Sequence, residues 1–360
     1  MTEAESAEAT ASAKLTRRSA GFVTNPNHYQ HFTTGHPESP ERLEVVLALL
    51  RESGLRDRLR EIEPRDATDE ELSWVHPAQF LEELRRICAD GPGMIDMDTY
   101  VQPESFSIAL TAAGSTVAAT EAVLGGEVDS AFVAVRPPGH HAGPELAMGF
   151  CLLNNIAIAA EAARKRHGLE RIAIIDIDVH HGNGTQDAFY EDGGVLYVST
   201  HLFPFYPGTG PPRETGVDDG AGANVNIALP AYCGDAEYCA AFDQLVEPIV
   251  RRFRPELILV SCGFDAHFAD PIANMALSNA GYGELTARLL RLAQELCDGK
   301  IVFLLEGGYD LIAVPWGVRT VIEVLLGEEA TPDPLGTLAV RDAPDISGLL
   351  SEMRKLHGFS

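Results

Sequence analysis

The chain has 360 residues, 45% of them hydrophobic, which is apolar mass enough for one large α/β domain or two ordinary ones. Lys and Arg number 27 against 53 Asp and Glu, and the net charge of -26 argues against nucleic acid or an anionic membrane as partner while leaving a basic ligand welcome. Six cysteines (Cys88, Cys151, Cys233, Cys239, Cys262, Cys297) occur without a C-x-x-C pair, which suits reduced thiols and a cytoplasmic location better than disulfide staples.

Residues 1–19 are rich in Ala, Glu, Thr and Ser and nearly free of large apolar side chains. Such a segment cannot bury enough surface to offset its chain entropy, so it is predicted to be a disordered tail ahead of one domain spanning 20–360. It has no apolar h-region, and apolar stretches elsewhere are short and broken by charge, Gly or Pro, so neither an export signal nor a membrane span is expected. From there on, the runs "SAFVAV" (130–135), "RIAIIDI" (171–177), "VLYVS" (195–199), "ELILVSC" (256–262) and "KIVFLLE" (300–306) read as buried strands. Helical patterns fall near 105–124, 152–167, 235–253, 281–297 and 314–327, and a short C-terminal helix follows the turn "TPDPLG". Alternating strands and helices of these lengths predict an α/β fold, a mostly parallel sheet flanked by helices on both faces.

Each predicted strand runs into a polar or glycine-rich segment: "RPPGHHAG", "DVHHGNG", "THLFPFYPGTG", "GFDAHFAD" and "GGYD". In open α/β sheets ligands bind beyond the carboxyl ends of the strands, so these loops are expected to meet at one site. If extended geometry persists past "IAIID", then Asp176, Asp178 and His180 share one side of the chain and Ile177 and Val179 the other. Carboxylate oxygen and imidazole nitrogen are zinc ligands, and catalytic zinc has three protein ligands and one open position; Asp265 in "SCGFDAHFADP" supplies a further carboxylate. Uncompensated carboxylates at the mouth of a core strand are costly unless a cation or hydrogen bonds hold them. His140 and His141 in "RPPGHHAG" suit general base and acid work, and Asp176 and Asn183 are candidates to fix their tautomers. Tyr309 follows two glycines and is placed to donate a hydrogen bond to a carbonyl oxygen as charge develops on it.

The segments "HPESPERLE" (36–44), "RPPGHHAGPELAMGFCLLNN", "IDIDVHHGNGTQD", "GFDAHFADP" and "LLEGGYD" resemble the zinc-dependent histone deacetylase family, whose relatives include bacterial deacetylase-like amidohydrolases, acetylpolyamine amidohydrolases and acetoin-utilisation proteins. The likeness runs from about residue 21 to at least residue 327, and "RPPGHHA" with "HHGNGTQ" is closer to the class II branch. The resemblance implies an arginase/deacetylase-like single domain and a deacetylase or related amidohydrolase. It implies Asp178, His180 and Asp265 as ligands of zinc, with iron an alternative in the cell, His140 and His141 as the catalytic pair and Tyr309 as the carbonyl-polarising group. It further implies Asp176, Ser199 and Thr200 at a structural potassium site. Asn183 stands where class I members carry an aspartate, which leaves His141 less cationic. An acyl tunnel is expected from Gly149 and Phe150 of "MGFC", from Tyr206 or Phe205 of "FPFYPGTG", and from Ile272.

The substrate implied is an acylated lysine peptide or a small acetamide. An acetylpolyamine is the nearest alternative, and it would use an acidic rim residue such as Asp98 or Glu104, because Ile272 stands where a polyamine-selective relative carries a glutamate. A two-manganese ureohydrolase would need a D-x-D where the chain has Asp265-Ala-His267, and a non-catalytic acyl-ligand sensor would be expected to have lost a ligand or the tyrosine. Oligomer formation stays open, with loops in 21–40 and 85–105 as the expected contacts.

Overall fold

The computed structural model describes residues 18–359. In chain order its strands are β1 (Ala20–Thr24), β2 (Arg60–Glu61), β3 (Gly93–Met94), β4 (Tyr100–Val101), β5 (Ser130–Ala134), β6 (Ile172–Asp176), β7 (Val195–Leu202), β8 (Asn224–Leu229), β9 (Leu257–Cys262) and β10 (Ile301–Leu305). Eight of them form one sheet in the order β2-β1-β5-β10-β9-β6-β7-β8, with every neighbouring pair parallel. β3 and β4 form a separate antiparallel pair. The expected mostly parallel sheet is therefore present, and its main body is wholly parallel.

Alternation along each strand explains why both faces are covered. Ile172 and Ile174 of β6 enter one apolar cluster and Ala173 and Ile175 the other; Leu257 and Leu259 of β9 likewise oppose Ile258 and Val260. The first face is covered by α2 (Asp69–Ser73), α3 (Ala78–Asp90), α4 (Ser105–Leu124) and α5 (Asn155–His167). The second is covered by α1 (Glu41–Glu52), α7 (Asp235–Ala241), α8 (Glu247–Phe253), α9 (Asn279–Leu296), α10 (Ala313–Leu325) and α11 (Ser347–Leu356). A short α6 (Asn183–Phe189) follows the loop after β6. Each fully buried Ile, Leu or Phe in these layers contributes roughly 1.5–3 kcal/mol. α4 is long and apolar enough to cross a bilayer, but 72% of its apolar window is buried within the domain, the pattern of a core helix.

Local chemistry moves several predicted boundaries. The helix expected from 152 begins at Asn155, because the Asn154 side chain accepts the N–H of Ala157 at 3.0 Å and caps it there. The helix expected over 235–253 is interrupted by a π turn at Phe242–Val246. Pro248 has no N–H to give to the Gln244 carbonyl, and Arg354 of α11 donates to that carbonyl instead, at 3.2 Å. Residues 1–17 lie outside the described residues, and so does most of the tail expected over 1–19. Arg18 and Ser19 are tied in, Ser19 through its N–H to Asp129 at 2.7 Å.

Candidate active site

The five loops singled out in the sequence leave the carboxyl ends of β5, β10, β9, β6 and β7, five consecutive neighbours in the sheet. Parallel pairing puts all these ends on one edge. The strand geometry of β6 stops at Asp176, and the turn that follows separates the acidic residues instead of aligning them on one side. Ile177 and Val179 do point into the core. Asp176 meets His140, whereas Asp178 lies between His140, at 3.9 Å, and His180, which also reaches Asp265.

Ligand atoms of Asp178, His180 and Asp265 lie within 4.8 Å of one another, and all three side chains are buried. His180 Nδ1 is 3.0 Å from Asp178 Oδ1 and 3.2 Å from Asp265 Oδ2. The other carboxylate oxygens are fixed by backbone donors: Gly307 N–H to Asp178 Oδ2 at 2.8 Å and Val179 N–H to Asp265 Oδ1 at 2.9 Å. A Cβ on Gly307 would overlap Asp265, so the chain passes too close there for any side chain. Burial, with the neighbouring charge of Asp178, raises the pKa of Asp265. A site that crowds two buried carboxylates round an imidazole calls for a cation, and its O, N, O donor set fits a divalent metal.

His140 Nδ1 lies 3.0 Å from Asp176 Oδ2, which also accepts from the Tyr197 hydroxyl at 2.9 Å. Burial works against charging His140, but Asp176 and Asp178 outweigh it and raise its pKa to about 10. His141 Nδ1 lies 2.8 Å from Asn183 Oδ1. Burial, and then the neighbouring charge of His140, lower the pKa of His141 well below the usual imidazole range. Ser199 is the register partner of Asp176 across β6 and β7, and the Thr200 hydroxyl donates to the Asp176 carbonyl at 3.4 Å.

Beside these groups runs a narrow cavity of about 190 Å³ lined by Asp98, His141, Gly149, Phe150, His180, Phe205, Tyr206, Ile272 and Tyr309. Phe205 stacks on His180 with centroids 5.3 Å apart, and Tyr206 stands edge-on to His141 at 5.3 Å, so both of the alternative wall residues are used. Phe150 stands edge-on to the Tyr309 ring at 5.8 Å, and the Arg42 guanidinium covers that ring at 4.9 Å. Of the two rim acids, Asp98 lines the cavity; Glu104 is exposed at the start of α4, outside it.

Several supporting groups were not singled out from the sequence, although all lie inside the quoted motifs. Glu306 accepts the N–H groups of Gly139 and His140 at 2.7 and 3.2 Å and the Ser261 hydroxyl at 3.0 Å. Burial, opposed by His140, raises its pKa to about 7. Asp270 accepts the N–H of Tyr309 at 2.7 Å. Glu38 and Arg136, both fully buried, form a two-pronged pair at 2.7 and 2.6 Å, and Arg42 holds the Glu306 and Gly308 carbonyls at 2.6 Å each. The available signal was the burial implied by an ionisable residue beside a core strand.

Comparison with known proteins bears on this arrangement. A family profile described as "Histone deacetylase domain" matches residues 36–325. The chain belongs to the histone deacetylase family. It is 43% identical over 311 residues to a probable deacetylase of Archaeoglobus fulgidus, covering 85% of this chain and 86% of that one. It is 44% identical over 325 residues to a histone deacetylase-like amidohydrolase of Pseudomonas aeruginosa, covering 89% and 84%. Its fold matches the crystal structure of the HDA15 HD domain with a TM-score of 0.86 at 35% identity, over 95% of this chain and 94% of that one. As a member of this histone deacetylase family the protein is a hydrolytic enzyme of the deacetylase and amidohydrolase type.

Proposed function

We propose that the protein hydrolyses N-acyl amines, with an acylated lysine of a peptide as substrate and with Asp178, His180 and Asp265 holding a zinc ion. The observation that carries this reading is the compact Asp178, His180 and Asp265 group beside an aromatic-walled cavity that also receives His141 and Tyr309. Zinc, or iron in its place, supplies Lewis acidity when bound, polarising an amide carbonyl and lowering the pKa of water to roughly 7.

The rest of the chemistry belongs to the chain. Asn183 holds the Nδ1–H of His141, which leaves Nε2 free to take a proton from the attacking water and return it to the leaving amine. His140, paired with Asp176, stays protonated beside it. The Tyr309 phenol donates to the carbonyl oxygen as that atom becomes negative. Phe150, Phe205, Tyr206 and Ile272 enclose the apolar chain of the acyl-lysine and exclude water, while Gly149 keeps the passage open. We also assign a potassium ion to the oxygen-rich junction of Asp176, Ser199 and Thr200, where it would stiffen the β6 and β7 ends. The six unpaired cysteines suit a reducing compartment, and we assign the protein to the cytoplasm.

One second reading has its own observation. Asp98 lines the cavity, and its carboxylate would pair with the distal ammonium of an acetylpolyamine. Ile272, on the same wall, offers no such partner. A two-manganese site is disfavoured because Asp178, His180 and Asp265 are the only such ligand group among the described residues.

The test is a panel of acetyl-lysine peptides, acetylspermidine and small acetamides assayed on zinc-loaded protein. The peptides are expected to show the highest kcat/KM. Acetylspermidine turned over far faster than every peptide would reverse the ranking. No turnover across acetyl, longer acyl and trifluoroacetyl lysines would leave an acyl-ligand sensor.

A further inference from the structure

Next to the acyl cavity lies a wider surface groove of about 600 Å³, whose lining includes Tyr29, Phe32, His36, Glu41, Glu44 and Leu311. Three of its large apolar side chains are unusually open for their type: Tyr29 at 55%, Phe32 at 51% and Leu311 at 45% exposure. Two carboxylates, Glu41 and Glu44, stand exposed on its α1 side, and no Lys or Arg lines it. Aromatic surface beside unopposed carboxylate is the complement of a segment that carries both a cationic and an apolar side chain.

His36 joins this groove to the acyl cavity. Its Nδ1 accepts the Glu38 N–H at 3.1 Å, which fixes the proton on Nε2, and that N–H donates to the Asp98 carbonyl at 2.9 Å. The same ring packs edge-on against Phe150, with centroids 4.6 Å apart. One imidazole thus forms groove wall on one side and braces the cavity wall and rim on the other. Leu311, two residues beyond Tyr309, repeats the connection across the groove. The groove and the cavity therefore share a wall, built on the contact between His36 and Phe150.

We infer that this groove is the docking site for residues flanking the acyl-lysine of a peptide substrate, and that it selects segments carrying a Lys or Arg next to an apolar residue. The inference rests on the peptide-deacylase reading above and names the substrate class for that site. A second copy of this chain is a poor occupant, because a protein of net charge -26 would bring its own acidic surface to Glu41 and Glu44.

Binding and turnover separate the two readings. Binding is measured by fluorescence anisotropy of labelled, unacylated peptides, one with Lys-Phe flanks and one with Glu-Phe flanks. Turnover is measured on the acylated versions and on an acetyl-lysine methylamide without flanks. Exposed ion pairs are each worth up to about fivefold, so the cationic peptide is expected to bind on the order of tenfold tighter than the acidic one at low salt. Glu41→Gln with Glu44→Gln should erase most of that preference, and Tyr29→Ser with Phe32→Ser should weaken both peptides. All four substitutions should leave turnover of the methylamide unchanged. Equal binding of the two peptides by the unaltered protein overturns the inference, as does a preference that survives Glu41→Gln with Glu44→Gln. A dimer broken by Phe32→Ser, with peptide binding unaffected, would assign the groove to a second copy. Absence of turnover with the charge-dependent binding intact would sink the deacylase reading and leave the groove standing.

Discussion

Asn183 presents its amide oxygen to Nδ1 of His141 at 2.8 Å, and its amide nitrogen faces the Met148 sulfur at 3.4 Å. A neutral partner therefore orients this imidazole, whereas its neighbour His140 is oriented by a carboxylate. Asn183→Ala should lower kcat by about 10- to 100-fold through loss of the favoured tautomer while KM changes little, and His141→Ala should abolish turnover with the fold intact. Steady-state kinetics on an acetyl-lysine peptide, with circular dichroism as the folding control, make the comparison. A near-normal rate for His141→Ala refutes its role.

Metal binding should follow the carboxylates. Asp178→Ala and Asp265→Ala each remove one of the two carboxylates proposed to hold the metal and also free a backbone donor, Gly307 N–H or Val179 N–H. Both variants are expected to lose metal, and a strong chelator should silence the unaltered enzyme until zinc is returned. Elemental analysis reads the outcome. Stoichiometric metal retained by both variants would show that the ligands are misassigned.

Tyr309 is held from three sides, by Arg42 over its ring, by Phe150 edge-on, and by Asp270 through its backbone N–H. Its placement therefore does not depend on the phenol itself. Tyr309→Phe should keep the ring in place and lower kcat by on the order of 100-fold or more, with little change in substrate binding. A KM effect larger than the kcat effect would make the residue a binding group instead.

The layout of this site was legible because buried parallel strands have a strong pattern: "IAIID" and "LILVSC" are buried at every position and nearly continuous in apolar residues, and the ionisable residues gather at their ends and in the loops that follow. β8, "NVNIAL", was missed because its buried Asn224 and Asn226 look like loop residues until Gln186 is seen across from them at 2.9 and 2.8 Å. α1 and α3 were missed although each carries an apolar stripe at helical spacing, Leu43, Val46 and Leu50 in α1 and Leu81, Leu84 and Cys88 in α3. Burial of Arg136 and Glu306 could be read from the strands they follow, but their pairings, like that of Glu38, could not. Their partners are 98 and 167 residues away in sequence, and only the tertiary structure brings such pairs together.

Specificity between amide classes should be adjustable at Ile272, which lines the cavity and supplies apolar wall. Ile272→Glu would place a second carboxylate near Asp98. Acetylspermidine turnover should rise relative to that of an acetyl-lysine peptide by about 10-fold or more, mostly through KM, since the new ion pair is made in ground state and transition state alike. An unchanged ratio of the two kcat/KM values would remove Ile272 from the list of selectivity residues.

Away from the site, Glu71 should govern acid stability. Its side chain is 0% exposed and receives Arg65 at 2.9 and 2.6 Å, Arg166 at 2.6 Å and the Thr68 N–H at 2.6 Å, which joins the α2 cap to α5. Burial raises the pKa of this carboxyl, but the arginines and the Thr68 N–H outweigh it and lower the pKa to about 2. Because the folded value lies below the unfolded value of about 4.3, the contribution is fully present above that pH and is lost as pH falls towards 2. Glu71→Gln keeps a side chain able to complete the cap but removes the charge, and should cost about 2 kcal/mol at pH 7. Urea unfolding at a series of pH values reads the difference, which should shrink steadily below pH 4. A gap of the same size at pH 3 and pH 7 would mean that shape, and not charge, is what Glu71 contributes.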